Sequence, residues 1–169
     1  GGGILLDQGI HILDLIRLFA GEFTVVSSIV SNNFWGYDVE DNAYALIKSK
    51  NGVVGMVHSS ATQWRHKFSL DINLEKGSII LGGILSGSKS YGEEKLTIIK
   101  SNLKKDKGIP KEKVFSYNKD LSWEREIDTF INSIIYNKVI KNGNSNDAYE
   151  TMKLVHDIYK SDIEWKKKL

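Results

Sequence analysis

The chain has 169 residues, of which 41% are hydrophobic and 26% charged, with a net charge of only +2 and no cysteine. This composition predicts one globular domain, gives no argument for a nucleic-acid partner, and excludes disulfides and cysteine-ligated metal. No apolar run reaches membrane-spanning length and no signal peptide is visible, so we expect a cytoplasmic protein with no membrane partner.

The first predicted element is a helix over residues 3–19 that stops at Gly21, a residue type that favours helix C-termini. At about 100° per residue, Asp7, His11 and Asp14 fall on one narrow stripe of this helix. Apolar residues cover most of the remaining surface, which predicts a buried helix. Buried carboxylates and imidazoles need either partners or a function.

The middle of the chain reads as β-strands, with hairpin signals at Asn51-Gly52 and Lys76-Gly77. The predicted strands are residues 23–34, 42–50, 53–64, 67–75, 78–83, 95–101 and 114–117. Their alternation of apolar and polar residues predicts a sheet that is covered on one face.

Two helices are predicted to follow, over residues 121–141 and 146–169. The buried stripe of the first is predicted to consist of Trp123, Ile127, Phe130, Ile131 and Ile134. The element order predicts an α+β fold, an open, mostly antiparallel or mixed sheet with helices on one face. A sheet face left bare would favour a homodimer or higher homo-oligomer, with exposed strand residues drawn from Val54, Met56, Phe68 and Leu70.

Two other interpretations of the stripe on the first helix compete with a catalytic one. Asp7, His11 and Asp14 could form a hydrogen-bonded structural network against the sheet. Asp7 and His11, at i and i+4, could also ligate a metal ion, but no third ligand stands at a convincing spacing. Gly3 and Gly9 would keep the surroundings of the stripe small and leave space for a substrate.

The opening segment GGGILLDQGIHILDLIRLFAG resembles the signature that begins the C-terminal domain of the glucose-fructose oxidoreductase / inositol dehydrogenase (Gfo/Idh/MocA) family. That signature has a glycine pair or triplet, then Asp, one residue, Gly, one residue, His, and Asp three residues later. Residues 39–60, 75–81 and 146–161 are also similar to segments of the family domain. The resemblance covers nearly the whole chain.

This resemblance implies one substrate-binding and oligomerisation domain over residues 1–169, the C-terminal half of a two-domain NAD(P)-dependent oxidoreductase. Such enzymes act on sugars, sugar nucleotides, inositols and related polyols. By position, His11 would be the catalytic acid or base and Asp7 would contact the substrate or tune the histidine. Asp14 is placed behind these two residues in a supporting role. Histidine suits proton transfer because imidazole titrates near neutral pH.

The family's N-terminal half has no counterpart in this sequence. No G-x-G-x-x-G and no Glu-Lys-Pro occur in the 169 residues, so we expect NAD or NADP to be bound mainly by a missing Rossmann domain. The chain also starts directly with a glycine and a helix, which indicates a fragment of a longer protein. The alternative is a stand-alone binding or dimerisation module that kept the fold without redox activity.

Four further residues are candidates for substrate binding. The resemblance places Trp64, Arg65 and His66, at the end of a predicted strand, near the substrate pocket. Tyr91, in a glycine- and serine-rich loop, is a similar candidate. The competing interpretation is an ordinary solvated hairpin end and a turn.

Overall fold

The computed structural model describes residues 2–101, 110–140 and 143–167. It confirms the α+β class, with helices and two open antiparallel sheets. The chain divides into two compact units, Gly1–Thr62 with Ile140–Leu169, and Gln63–Val139. No helix in the described ranges is long and apolar enough to cross a bilayer.

The first unit begins with a π-helical turn, Leu5–Gly9, which continues as α1, Ile10–Ala20. α1 ends where predicted, at Gly21, whose φ of 78° suits glycine. A three-stranded sheet follows, in the order β1 (Phe23–Ser31), β2 (Asn42–Ser49) and β3 (Val54–Ser60). The turn between β2 and β3 holds the predicted Asn-Gly pair, with Gly52 at a φ of 85°.

Two helices near the C-terminus complete the first unit. α3 (Ser145–Ser161) begins where the side chain of Asn144 accepts a hydrogen bond from the backbone N–H of Asp147. Asp162 ends α3 in an extended conformation and caps α4 (Ile163–Lys166) with its own side chain. The single helix predicted over 146–169 is therefore two helices, with a break at an aspartate that caps the second.

The core of the first unit lies between the helices and one face of the sheet. Alternate residues of β2, namely Ala43, Ala45 and Ile47, are buried, while the residues between them are exposed. They join a cluster with side chains from α1 and α3, including Leu13, Leu154, Val155 and Ile158. One face of this sheet is thus covered by helices and the other is bare, as the alternation predicts.

The second unit has a four-stranded antiparallel sheet followed by α2 (Ser122–Ile135). The strands, in sheet order, are β4 (Ser69–Leu74), β5 (Gly77–Gly82), β6 (Glu94–Lys100) and β7 (Glu112–Tyr117). The strands predicted in the sequence therefore belong to two sheets. Of the residues suggested for a bare sheet face, Val54 and Met56 are exposed, whereas the suggestion is wrong for Leu70, which is buried.

Two predictions about α2 are wrong. The helix ends at Ile135, and the backbone turns at Asn137, which has a positive φ of 48°. None of its residues is buried, and the whole predicted apolar stripe is exposed, from Trp123 to Ile134. Periodicity showed that α2 is amphipathic, but it could not show what packs against the apolar side.

Candidate functional site

The polar stripe of the opening helix lies on the exposed side of the first unit. Asp7, His11 and Asp14 are all exposed, whereas Leu5 and Leu13 on the opposite side are fully buried. The expectation of a buried stripe is therefore wrong, because the helix packs along one side only. Exposure leaves the Asp7 carboxylate and the His11 imidazole accessible to a ligand.

The helix changes its geometry between Asp7 and His11. The backbone N–H of Ile10 donates to the carbonyl of Leu5, five residues earlier, which is the π-type pattern. Gly9 sits in this turn, and a Cβ there would lie 2.8 Å from Leu5 Cδ1 and 3.1 Å from the Cβ of Ser59 on β3. Gly9 thus allows close packing of the helix on the sheet. The suggestion that it leaves space for a substrate is wrong.

Gly3 has a similar packing role. A Cβ on Gly3 would overlap the Glu40 carboxylate, so protein and not substrate occupies this space. Glu40 is only 4% exposed, and its Oε1 accepts hydrogen bonds from the backbone N–H of Leu5 (2.8 Å) and the hydroxyl of Tyr159 (2.7 Å). Burial and the hydrogen bond to Glu40 raise the pKa of Tyr159. Glu40 therefore fixes the start of the helix to α3.

Asp41, the next residue, holds the loop between β1 and β2. Its Oδ2 accepts hydrogen bonds from the backbone N–H groups of Phe34 (2.8 Å) and Trp35 (3.2 Å), and its Oδ1 from the Asn42 amide (2.9 Å). Burial by itself would raise the pKa of Asp41, but these hydrogen bonds together hold it below its usual value. The Asp41 carboxylate is therefore buried and holds the loop through hydrogen bonds within the protein.

A cavity of about 360 Å³ opens between this loop and the start of the helix. Asp7 contributes to its wall, together with two exposed aromatic side chains of the loop, Trp35 and Tyr37. The full lining is Gly2, Gly3, Ile4, Asp7, Trp35, Tyr37, Val39, Glu40, Asp41 and Ala61. The cavity is large enough for part of a small ligand. The sequence contained no pattern that marked Trp35 or Tyr37, because their placement depends on contacts distant in sequence.

Asp14 belongs to a network that joins α1 to α3. Its Oδ1 accepts a hydrogen bond from the Thr151 hydroxyl (2.8 Å) and lies 3.7 Å from Arg17 Nη1. Arg17 is buried and also contacts Glu22 and Asp147 through its guanidinium group. The hydrogen bond and charge of Arg17, opposed by burial, hold the pKa of Glu22 below its usual value. These contacts support a structural role for Asp14.

The other four candidate residues lie in the second unit. The His66 Nδ1 is 2.9 Å from the Ser90 hydroxyl, and its ring centroid is 5.1 Å from that of Tyr91. The structure therefore brings His66 and Tyr91 together, while Trp64 is 94% exposed and Arg65 is exposed. Their predicted contact with substrate stays a prediction, as do the catalytic roles of Asp7 and His11. The described ranges contain no group of three or more His, Cys, Asp or Glu side chains that could hold a metal ion.

Comparison with known proteins gives a match to one family model over part of the chain, and a fold. Residues 1–80 match the model of the GFO/IDH/MocA C-terminal domain. A search of the curated proteins found no significant match. Solved structures match over almost the whole chain, at identities that establish the fold alone. A levoglucosan dehydrogenase in complex with NADH and levoglucosan matches with a TM-score of 0.76 and 17% identity, over 98% of this chain and 49% of that one.

Two further structures give the same picture. The UDP-N-acetylglucosamine 3-dehydrogenase GnnA from Acidithiobacillus ferrooxidans matches with a TM-score of 0.75 and 16% identity, over 96% of this chain and 48% of its own. A mutant of the 3-ketoreductase KijD10 from Actinomadura kijaniata, in complex with TDP-benzene and NADP, matches with a TM-score of 0.71 and 16% identity. This match covers 95% of this chain and 48% of that one. The chain thus spans about half the length of the structures that it matches.

Proposed function

We propose that the chain, whose residues 1–80 match the model of the GFO/IDH/MocA C-terminal domain, is the substrate-binding half of an NAD(P)-dependent oxidoreductase. The substrate class is a sugar, a sugar nucleotide or an inositol-like polyol. Structural neighbours of the same fold are dehydrogenases and a ketoreductase, two of them crystallised with a nicotinamide cofactor. Residues 1–169 would act as one domain for substrate binding and oligomerisation, in a cytoplasmic enzyme.

The observation that carries the proposal is the exposed polar stripe of the opening helix. His11 is exposed, as is Asp7, which lines the cavity. In the proposed reaction the His11 imidazole accepts the proton of the substrate hydroxyl as the alcohol is oxidised, and it returns that proton in the reverse direction. Asp7 would contact the substrate.

The residues that the structure describes do not fit a dinucleotide by themselves. Pyrophosphate binding in Rossmann folds uses a glycine turn between a parallel strand and a helix N-terminus. Both described sheets are antiparallel, and Gly3, at the start of the helix, is backed by the Glu40 carboxylate, whose negative charge would repel a pyrophosphate. We therefore assign NAD or NADP to a domain outside residues 1–169.

We further propose that the bare face of the three-stranded sheet forms a homo-oligomer interface. Ile29, Tyr44 and His58 face one another across the three strands, as do Leu46 and Met56 on β2 and β3. Ile29, Tyr44, Leu46, Val54 and Met56 are between 40% and 86% exposed. Contiguous apolar surface of this kind is typical of an interaction site.

The proposed activity can be tested on the complete polypeptide that contains these 169 residues. Its reduction of NAD⁺ or NADP⁺ is measured with a panel of sugars, sugar nucleotides and inositols, for the wild type and for His11→Ala and Asp7→Asn. Loss of a general base costs about 10²- to 10⁴-fold in kcat, so His11→Ala should fall in that range while cofactor binding is kept. Asp7→Asn should slow turnover less. Near-normal turnover of folded His11→Ala would contradict the proposal.

A further inference from the structure

The loop between β1 and β2 presents two aromatic rings to the cavity beside Asp7. Trp35 is 49% exposed and Tyr37 is 64% exposed, and both line the cavity. Neither residue belongs to the opening motif of the family. Large aromatic side chains left accessible at a concave site are typical of ligand contacts, because their ring faces bury much area at little cost in conformational entropy.

The indole of Trp35 is held in a fixed orientation. Its Nε1–H donates to the carbonyl of Ala61 at 3.0 Å, and its backbone N–H donates to Asp41. The Phe34 ring packs edge-on against the indole, at 5.0 Å between centroids. Because the only polar group of the indole is already satisfied within the protein, the remaining exposed surface of the ring offers an apolar contact.

The rest of the loop is fixed at its two ends. The Asn32 amide donates to the carbonyl of Tyr37, and the backbone N–H of Asp41 donates to the carbonyl of Ser31 at 2.9 Å. Gly36, with a φ of 69°, makes the turn between the two aromatic residues. These contacts hold the loop before a ligand arrives, which reduces the entropy that binding would cost.

The charge of the cavity restricts the ligand. Its carboxylate-bearing lining residues are Asp7, Glu40 and Asp41, and no described Lys, Arg or His contributes to it. Glu40 and Asp41 direct their oxygens into internal hydrogen bonds, whereas Asp7 is exposed and accepts a side-chain hydrogen bond only from Gln8 among the described residues. A phosphate or carboxylate ligand would be repelled, while a neutral hydroxyl group could donate to Asp7.

We propose that Trp35 and Tyr37 form the subsite for the neutral ring of the substrate, a pyranose or cyclitol whose C–H face packs on the aromatic rings while a ring hydroxyl donates to Asp7. This inference rests on the proposed function for the substrate class and deepens it with a site of recognition. The charged portion of a sugar nucleotide would lie outside this cavity. The subsite determines specificity and takes no part in proton transfer.

The test is direct binding, which does not depend on turnover. Saturation-transfer NMR on the complete polypeptide uses millimolar methyl β-D-glucopyranoside, methyl β-D-galactopyranoside, methyl α-D-mannopyranoside and myo-inositol as probes. At least one probe should bind the wild type, and UMP should not displace it. Tyr37→Ala and Trp35→Ala should each weaken that binding about 2- to 10-fold, the size of an aromatic contact.

Three further variants separate ring contact from loop damage. Tyr37→Phe keeps the ring and should bind like the wild type, and Trp35→Phe should lose less than Trp35→Ala. Trp123→Ala removes an exposed indole that does not line the cavity and should bind normally. Circular dichroism confirms that each variant is folded, and if Trp35→Ala is not, Tyr37→Ala carries the test.

The subsite would be overturned if no probe binds, if UMP displaces the bound probe, or if folded Tyr37→Ala binds with wild-type affinity. Probe binding that depends on Tyr37, together with full turnover of His11→Ala, would contradict the proposed catalytic role and leave the subsite standing. Loss of turnover in His11→Ala, together with probe binding that does not change in the Trp35 and Tyr37 variants, would contradict the subsite and leave the proposed catalytic role standing.

Discussion

Gly3 of the opening motif is required by packing against Glu40. We expect Gly3→Ala to lower the free energy of unfolding by about 2–3 kcal/mol, because its Cβ would displace the buried Glu40 carboxylate from Leu5 and Tyr159. Urea denaturation measures the loss. Gly82→Ala is the control, since no atom lies within 4 Å of a Cβ there and its φ is not in the left-handed region. Equal stability of the two variants would contradict this account of Gly3.

The buried Asp41 carboxylate predicts a pH dependence of stability. Its pKa in the folded protein lies below the ordinary value of 3.8. Its contribution is therefore fully present above the unfolded pKa and is lost as pH falls through the folded one. Urea denaturation between about pH 5 and 2 should show a steeper acid loss in the wild type than in Asp41→Asn. Asp38→Asn, which removes an equal charge from an exposed position in the same loop, should keep the wild-type slope.

Residue roles in this site were only partly predictable from the sequence. The types and spacing of Asp7, His11 and Asp14 marked the helix, since they share one stripe at helical spacing. Glu40 and Asp41 gave no such signal, since they only precede the strand predicted over residues 42–50. Their roles depend on donors that come from the helix start, the loop and α3, and these meet only in the folded chain.

At the scale of elements, α1 and α3 are joined by the hydrogen bonds of Thr151 to Asp14 and Arg17. Thr151→Val should lower the free energy of unfolding by about 1–2 kcal/mol, because it removes the shared hydroxyl but keeps the side-chain shape. Thermal denaturation gives the readout. Thr129→Val on α2, where the exposed hydroxyl donates to the Arg125 carbonyl within its own helix, should be nearly neutral. A neutral Thr151→Val would show that the network does not join the helices.

Elements defined by local chemistry were predicted well, and those defined by distant contacts were not. The Gly21 helix end and the turn around Asn51-Gly52 follow from the backbone freedom of glycine, which the sequence displays directly. The π-helical turn could not be predicted, because it depends on the fit of Gly9 against Ser59. The break at Asp162 replaced part of a predicted helix, since its extended backbone carries the cap of α4.

At the scale of the whole molecule, the bare face of the three-stranded sheet predicts self-association. We expect the wild-type polypeptide to be a dimer or larger at tens of micromolar in light scattering. Met56→Glu should shift it toward the monomer, because it buries a charge in the proposed interface. Ile163→Glu, at a 74% exposed position on α4, should keep the wild-type mass. A monomeric wild type would contradict the proposed interface.

Of the properties of the whole molecule, the sequence predicted the fold class and the bare sheet face. The α+β class came from the element order, and the bare face of the first sheet came from the alternation in β2. The sequence did not predict that the seven described strands divide between two sheets, because strand pairing depends on contacts between distant segments. The exposed stripe of α2 shows the same gap, because amphipathicity does not identify a covering surface.

The most direct measurement compares two variants of the exposed helical stripe, His11→Ala and Asp14→Ala, for kcat and thermal stability in the complete polypeptide. Both residues are exposed on α1, but only Asp14 belongs to the network with Thr151 and Arg17. We predict that His11→Ala loses about 10²- to 10⁴-fold in kcat at nearly unchanged stability. Asp14→Ala should lose stability and keep its turnover within a few fold. A folded Asp14→Ala that loses more turnover than His11→Ala would contradict the assignment of His11 as the proton-transfer group.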